Sequence, residues 1–372
     1  MKKQGSLLTL LVLTLISCLP AVAQTYKFSN FYSFKNNGSD PSRPSALIID
    51  GSGNLYGTAL AGGTFNNGVV YKVGPQGGIK LLYSFNGNDS TDAVSPINLA
   101  RDGKGNLYGD TQAEVRSYVG DLFKLAPQSN GSYAFTSLHV APDTAAQMVL
   151  NSAGDIFWLN CDYDGGPTCD NNTSLNKIVD GQNTILYDFT SVGFFATGNY
   201  IVDRSGDIYG TEGGDDFTSF GLIYKWSPVS GYSVVHTFNG TDGAGPTGLR
   251  QDAAGNLYGV ATVGGTKNSG TIFKITSTGA FSTLYNFCSR TNCTDGSYPI
   301  GPLTLDSSGN IYGVLSSGVF RLTPARVESL IYNSGSILMG PGLVMDKNGN
   351  LYGTTSNGGS AGLGSVYKLT KQ

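Results

Sequence analysis

One five-residue phrase, Gly-Asn-Leu-Tyr-Gly, recurs in variants along the whole chain. The copies start at Gly53, Gly105, Gly154, Gly206, Gly255, Gly309 and Gly349. The intervals between them are 52, 49, 52, 49, 54 and 40 residues. Periods of this size belong to blade or solenoid repeats, in which each unit buries its apolar faces only against its neighbours. The fifth copy shows the internal order. Gly248 to Asp252 is followed by Gly255 to Gly259, then Thr271 to Ile275, then Ser282 to Phe287. All four runs are short and rich in β-branched and aromatic residues, and Gly, Asn, Asp and Ser separate them. That is a strand signature with no competing helical period. Four strands per repeat predict an all-β chain, a seven-bladed β-propeller of four-stranded blades.

The ends of the chain predict how the ring closes. A fourth-strand phrase, Phe31-Tyr32-Ser33-Phe34, stands before the first Gly-Asn-Leu-Tyr-Gly. The last repeat stops at its third strand, Val366-Tyr367-Lys368-Leu369. The N-terminal strand is therefore expected to complete the last blade and remove an exposed edge. An open solenoid would not need this split. The irregular third and sixth copies are where a miscount would arise. Of 372 residues, 53 are Gly, 21 Tyr and 18 Phe. Charged residues are 13%, against about 25% in ordinary soluble domains. Many turns and aromatic blade faces account for both. The repeats run without a linker, so residues 24–372 are read as one domain.

Residues 1–23 read as a secretory signal peptide: Lys2 and Lys3, an apolar stretch from Leu7 to Ile16, and a small-x-small site at Ala21-Val22-Ala23. Cleavage is expected after Ala23. The competing reading is a lipoprotein box, Leu15-Ile16-Ser17-Cys18, which would anchor the chain to a membrane at Cys18. No C-terminal apolar tail supplies another anchor. Secretion, or residence in the periplasm or at the cell surface, is the expected address. Losing Lys2 and Lys3 with the signal takes the formal charge from −3 to −5. No basic run follows Lys3, which argues against a nucleic-acid partner.

Four cysteines remain after Cys18, as two close pairs, Cys161 with Cys169 and Cys288 with Cys293. In an exported chain they predict two local disulfides. A zinc site is the sharper alternative, but the spacings are not finger-like and no histidine lies near either pair. Of the two histidines, His236 falls where other copies carry tyrosine and His139 lies in the equivalent strand of blade two; both read as scaffold. There is no metalloprotease motif, nucleophile elbow, phosphate loop or dinucleotide fingerprint. No catalytic residue is assigned.

Two groups of acids recur. Asp50, Asp102, Asp203, Asp252, Asp306 and Asp346 stand three residues before the motif glycine, with Asn151 in the third copy. Asp346-x-Asn348-x-Asn350 loosely resembles the start of a calcium loop, but the bidentate acid that such a loop needs does not follow. The reading preferred is a hairpin whose Asp caps the turn and whose Gly is left-handed. No metal or other cofactor is expected. A second group, Asp40, Asp89, Asp242 and Asp295, precedes Pro44, Pro96, Pro246 and Pro299 in the connections between blades. Those connections share a face with the loops between second and third strands, where the copies diverge most. The candidate ligand-binding residues lie there: Arg116 and Tyr118 in blade two, Asp162, Tyr163 and Asp164 in blade three, and Glu212, Asp215, Asp216 and Phe217 in blade four. Blade six is cut to Val314–Gly318. A uniform frame with varied loops is where recognition is expected.

The full pattern is Asp-x-x-Gly-Asn-Leu-Tyr-Gly, a Gly-Gly loop, Gly-x-Val-Tyr-Lys-Leu, and Leu-Tyr-x-Phe with a following Asp and Pro. It resembles the GloVer tandem-repeat family of exported bacterial proteins, whose related chains end in different surface anchors. The resemblance covers about Phe31 to Leu369. It is specific in blades one, five and seven and degraded in blade three, where Gly154-Asp155-Ile156-Phe157-Trp158 replaces the motif. It implies an exported propeller and no catalytic residue. The function expected is that of a binding module for an extracellular protein or glycan, acting as a monomer. The alternative is a lactonase- or lyase-like enzyme with its site at the central channel.

Overall fold

The structure, a computed structural model, describes residues 25–35, 37, 40–87, 94–112, 120–141, 146–151, 153–161, 173–179, 181–189, 199–213 and 219–372. Seven four-stranded antiparallel sheets form a ring. β1 (Tyr26–Ser33) opens the chain. Blade one is β2 (Ser42–Ile49), β3 (Leu55–Ala61), β4 (Val69–Val73) and β5 (Ile79–Ser84). Blade two is β6 (Val94–Arg101), β7 (Leu107–Gln112), β8 (Gly120–Pro127) and β9 (Tyr133–Ala141). Blade three is β10 (Ala146–Leu150), β11 (Ile156–Cys161), β12 (Thr173–Val179) and β13 (Gln182–Asp188). Blade four is β14 (Tyr200–Val202), β15 (Ile208–Glu212), β16 (Leu222–Ser227) and β17 (Gly231–Thr237). Blade five is β18 (Ala244–Gln251), β19 (Leu257–Val263), β20 (Thr271–Ile275) and β21 (Phe281–Asn286). Blade six is β22 (Pro299–Leu305), β23 (Ile311–Leu315), β24 (Gly318–Leu322) and β25 (Glu328–Asn333). Blade seven is β26 (Val344–Met345), β27 (Leu351–Thr355) and β28 (Ser365–Lys371), completed by β1. β1 pairs with β28 from Tyr26↔Lys371 to Ser33↔Ser365. The expected closure by the N-terminal strand is therefore observed, and the third and sixth copies both form blades.

The second Gly of each motif is there for space, not for backbone freedom. Gly57 pairs with Tyr71 across β3 and β4, and a Cβ on Gly57 would lie 2.6 Å from the Tyr71 hydroxyl. The same opposition recurs at Gly109↔Phe123, Gly210↔Tyr224, Gly259↔Phe273, Gly313↔Phe320 and Gly353↔Tyr367. Blade three reverses it: Trp158 stands at the Gly position and pairs with Asn176. Large and small have exchanged strands, so the layer stays filled. The Trp158 Nε1–H donates to Asn183 Oδ1 at 2.9 Å, and Asn183 in turn donates to Asn176.

Neighbouring blades join through aromatic rings. In five blades the Phe that ends the outer-strand phrase packs edge-on against the third-strand ring of the next blade: Phe34 on Tyr71, Phe85 on Phe123, Phe189 on Tyr224, Phe238 on Phe273 and Phe287 on Phe320. Their centroids lie 5.1 to 5.5 Å apart, the spacing of favourable T-shaped pairs. The register shift between third and fourth strands falls at these third-strand rings, as at Val70/Tyr71 and Val319/Phe320, where each meets the Phe of the preceding blade. Such bulges add twist and spoil the outer edge as a template for further strands.

Candidate functional site

The ring has two faces. On one lie the hairpins between first and second strands, where the first acid group sits. Asp252 shows what that acid does. Its Oδ1 accepts from the Ala254 and Asn256 amides, and its Oδ2 from the Asn256 side chain and the Tyr258 hydroxyl. Asp50, Asp102, Asp306 and Asp346 repeat that four-donor pattern. In blade three Asn151 is the cap and Asp155 the partner, and Lys177 closes on Asp155 at 2.8 Å. In blade four Asp203 caps and Lys225 closes on Asp207 at 2.6 Å. Each motif glycine turns with positive φ, between 78° at Gly309 and 90° at Gly154. Burial pulls the Asp252 carboxyl upward, but its hydrogen bonds outweigh this and hold it below the usual carboxylate range. Asp50, Asp102 and Asp346 are held down in the same way. These acids build corners. Between the blade-one and blade-seven hairpins lies an open cavity of about 460 Å³, lined by Asp50, Pro75, Met345, Lys347, Tyr352 and Lys368 among others. Its carboxylates are already committed to their turns.

On the other face lie the long loops and the inter-blade connections. The described members of the second acid group, Asp40, Asp242 and Asp295, are committed to hydrogen bonds within their own connections. Asp40 accepts from the Tyr32 hydroxyl at 2.7 Å and from the Lys35 amide at 3.0 Å. Asp295 accepts from the Tyr285 hydroxyl at 2.7 Å and from the Ser289 amide and hydroxyl. In blade four His236 replaces the tyrosine and meets Asp242 at 2.9 Å, its ring stacked on Phe281. His236 thus takes the tyrosine's place beside the connection acid. Cys288 and Cys293 are disulfide-bonded within the connection that carries Asp295.

Of the sequence-derived candidates, Glu212 is described. It ends β15, half-buried, opposite Leu222 of β16. Arg116, Tyr118, Asp162, Tyr163, Asp164, Asp215, Asp216 and Phe217 lie outside the described residues, as do Asp89, Cys169, Cys18 and the signal segment. Cys161 ends β11, and its pairing with Cys169 likewise lies outside them.

The residue before the recurrent proline, at the rim of the channel, was missed by sequence reasoning. Arg43, Ser95 and Tyr298 precede Pro44, Pro96 and Pro299, and all three have positive φ, 56°, 56° and 53°. Gly245, before Pro246, has φ 62°. The pattern is imposed by the fold. The amides of Ser95, Gly245 and Tyr298 each donate to the carbonyl of the preceding blade's loop, at Asn67, Phe220 and Ser269. Glycine takes this conformation without strain, whereas a tyrosine or arginine there costs about 1–3 kcal/mol. Arg43 and Tyr298 are both exposed, Tyr298 to 46%. Phe65, Phe220 and Leu338 are further exposed large side chains of this face, on loops of blades one and four and on the connection into blade seven. The recurring proline was the available signal. The residue before it does not repeat, so periodicity could not find it.

Beneath this rim the inner strands approach closely. A Cβ on Gly301 would lie 2.7 Å from the Gly342 amide nitrogen. Threonines tie blade to blade, Thr58 to the Ile97 carbonyl, Thr304 to Leu343 and Thr354 to Ser45. In blade two an acid takes the threonine position. Asp110 is fully buried and accepts from the Asn98 amide and side chain, both at 2.9 Å. Burial pushes its carboxyl up to about 6 despite those bonds.

The repeat identity follows from this frame. A family model, the Gloeobacter/Verrucomicrobia repeat, matches residues 19–154 and 164–340. The chain belongs to that family. The match runs across blades one to six. No curated protein matches the chain in sequence. Among solved structures it is similar to a streptogramin B lyase, at 14% identity and a TM-score of 0.65, covering 93% of this chain and 98% of that one. It is similar to an oligogalacturonate lyase in complex with manganese, at 12% identity and TM-score 0.63, covering 94% and 97%. It also resembles the extracellular domain of a protein assigned as a hybrid two-component system from B. thetaiotaomicron, at 12% identity and TM-score 0.58, covering 92% of this chain and 40% of that one. Identities this low show the shared fold.

Proposed function

We propose that the protein is an exported binding module whose loop face holds a glycan at the rim of the channel. The observation that carries this reading is the pair Arg43 and Tyr298. Both are exposed and both are held in a backbone conformation that glycine would take without strain. The fold imposes the positive φ at this position, and what is particular to Arg43 and Tyr298 is that large exposed side chains are kept where glycine would fit without strain. The chemistry suits a sugar. An exposed tyrosine face offers apolar contact to a ring, and the guanidinium supplies donors to hydroxyl or carboxylate oxygens. The rim around Tyr298 adds Ser297, Ser316 and Ser317. The shortened loop of blade six, two residues between β23 and β24, leaves room above them. The repeated acids support binding over catalysis, because their oxygens are filled by their own turns.

The test is the double variant Arg43→Gly with Tyr298→Gly, probed on an array of bacterial and plant glycans. The expected result is an unfolding temperature at or above that of the parent, with retention reduced at least tenfold. Undiminished retention would overturn the reading. Cleavage of the arrayed glycan by the parent protein would overturn it in favour of a lyase.

A further inference from the structure

In four blades, one position of the outer strand faces the tyrosine or histidine of the preceding blade. These pairs are stacked rings: Tyr83 with Phe135, Tyr187 with Tyr232, His236 with Phe281 and Tyr332 with Phe28. Their interplanar angles are 12°, 9°, 4° and 5°. The register is the same in each. Phe135 pairs with Leu125, Tyr232 with Trp226, Phe281 with Ile275 and Phe28 with Leu369. In blade six that register position, opposite Leu322, is Glu328. Four blades carry a ring at this position, blade one Ile79 and blade three Asn183; blade six alone carries a carboxylate.

Glu328 is not solvated there. Its side chain is 0% exposed, and neither carboxylate oxygen has a hydrogen-bond partner. Its counter-charge is Arg290, whose Nη2 lies 3.2 Å from Oε2 and donates to the Glu328 backbone carbonyl at 2.7 Å. Arg290 belongs to the connection between blades five and six and sits inside the Cys288–Cys293 disulfide. Its own amide donates to Asp295, a second buried acid. Tyr285 of β21 gives its hydroxyl to that same Asp295. From the turn before β25, Arg326 donates to the Thr283 carbonyl of β21. So Glu328 faces one half-exposed cation, one fixed anion and one phenol. A buried ion pair of this kind is a poorer filler than an apolar side chain of the same size.

We propose that Glu328 makes the stapled connection between blades five and six a proton-dependent cover of the loop face. Neutral, the carboxyl lies in a slot that four other blades fill with a ring, and the connection packs over it. Ionised, it draws water to the seam, and the connection lifts with Arg290. Burial first, and Asp295 after it, push the Glu328 carboxyl up to about 7 against the pull of Arg290. The sign follows from linkage. A carboxyl that titrates higher when covered than when hydrated binds its proton more tightly in the covered state. Raising the pH therefore favours release. The connection ends at Tyr298, so release alters the rim. The inference does not depend on what ligand the rim takes.

Hydrogen exchange in residues 288–298 of the oxidised protein, corrected for intrinsic rates, tests it between pH 5.5 and 8.5. Protection in the parent should fall roughly ten- to thirty-fold with a midpoint near 7. Glu328→Gln keeps the shape without the charge, and should stay protected and flat. Arg290→Gln removes the counter-charge and should move the midpoint upward. A flat profile in the parent, or an unchanged profile in Glu328→Gln, would overturn the proposal. So would a midpoint that does not move in Arg290→Gln.

Discussion

At the scale of single residues, the chain solves one packing problem seven times, and blade three shows that the solution is a pair. Gly57 has no room for a methyl group because the Tyr71 ring lies over it. Trp158 fills the same position because Asn176 opposite is small. The prediction is a coupling. Gly57→Ala should cost about 1–3 kcal/mol, the range for overpacking a filled core. In a Tyr71→Ala background the methyl meets only the Leu47 Cδ2 end, 2.8 Å away and able to move into the space the ring leaves, so the second substitution should cost less. Denaturant unfolding of the two single variants and the double gives the interaction energy. Simple additivity would show that the ring does not govern the glycine. Blade three therefore departs from the motif without departing from the packing rule behind it.

At the scale of the element, the first hairpin of each blade is built by its own side chains. Asp252 supplies two acceptor oxygens to four donors within six residues. Removing it leaves the Asn256 side chain and Tyr258 hydroxyl to water and the turn amides without a cap. Asp252→Ala should lower stability by about 1–2 kcal/mol, as loss of a capping acid does. Denaturant dependence should be unchanged, since the blade still forms. A variant as stable as the parent would mean that backbone bonds alone hold the corner. This corner was legible in the sequence, because Asp, Gly, Asn and Tyr recur at fixed spacing and each has one role. Blade count, the closing strand and the Cys288–Cys293 bond were legible for the same reason: they are local or periodic. Arg43, Tyr298 and Glu328 were not. Each stands at a repeating position but is not itself repeated. Its meaning depends on what the neighbouring blade puts opposite, a carbonyl for Tyr298 and a ring position for Glu328. A one-dimensional reading sees a Glu in a strand. Only the ring shows that it sits where four other blades carry an aromatic side chain.

At the scale of the whole molecule, the two kinds of acid pull stability in opposite directions with pH. Asp50, Asp102, Asp252, Asp295 and Asp346 titrate below their usual value, since their hydrogen bonds outweigh burial. Asp155 and Asp207 are lowered too, with Lys177 and Lys225 as partners. Their stabilisation is fully present above the unfolded value of about 4 and is lost as pH falls through the lower folded values. Asp110 and Glu328 behave in the opposite sense, raised by burial to about 6 and about 7. Their contribution is fully present below the unfolded values, 3.8 and 4.5, and is lost as pH rises through 6 and 7. A shift of two pH units is worth about 3 kcal/mol, an upper limit for each where water enters the seam. The unfolding temperature should therefore peak between about pH 4.5 and 5.5, well on the acid side of neutrality, and decline on both sides. Asp110→Asn together with Glu328→Gln should flatten the decline between pH 5 and 8 while leaving the acid limb in place. Thermal unfolding of the parent and this double variant across pH 3 to 8 reads both limbs separately. A parent whose stability rises from pH 5 to 8 would show that neither buried acid carries its charge at a cost. The slot in blade six would then be merely polar, with no proton to release.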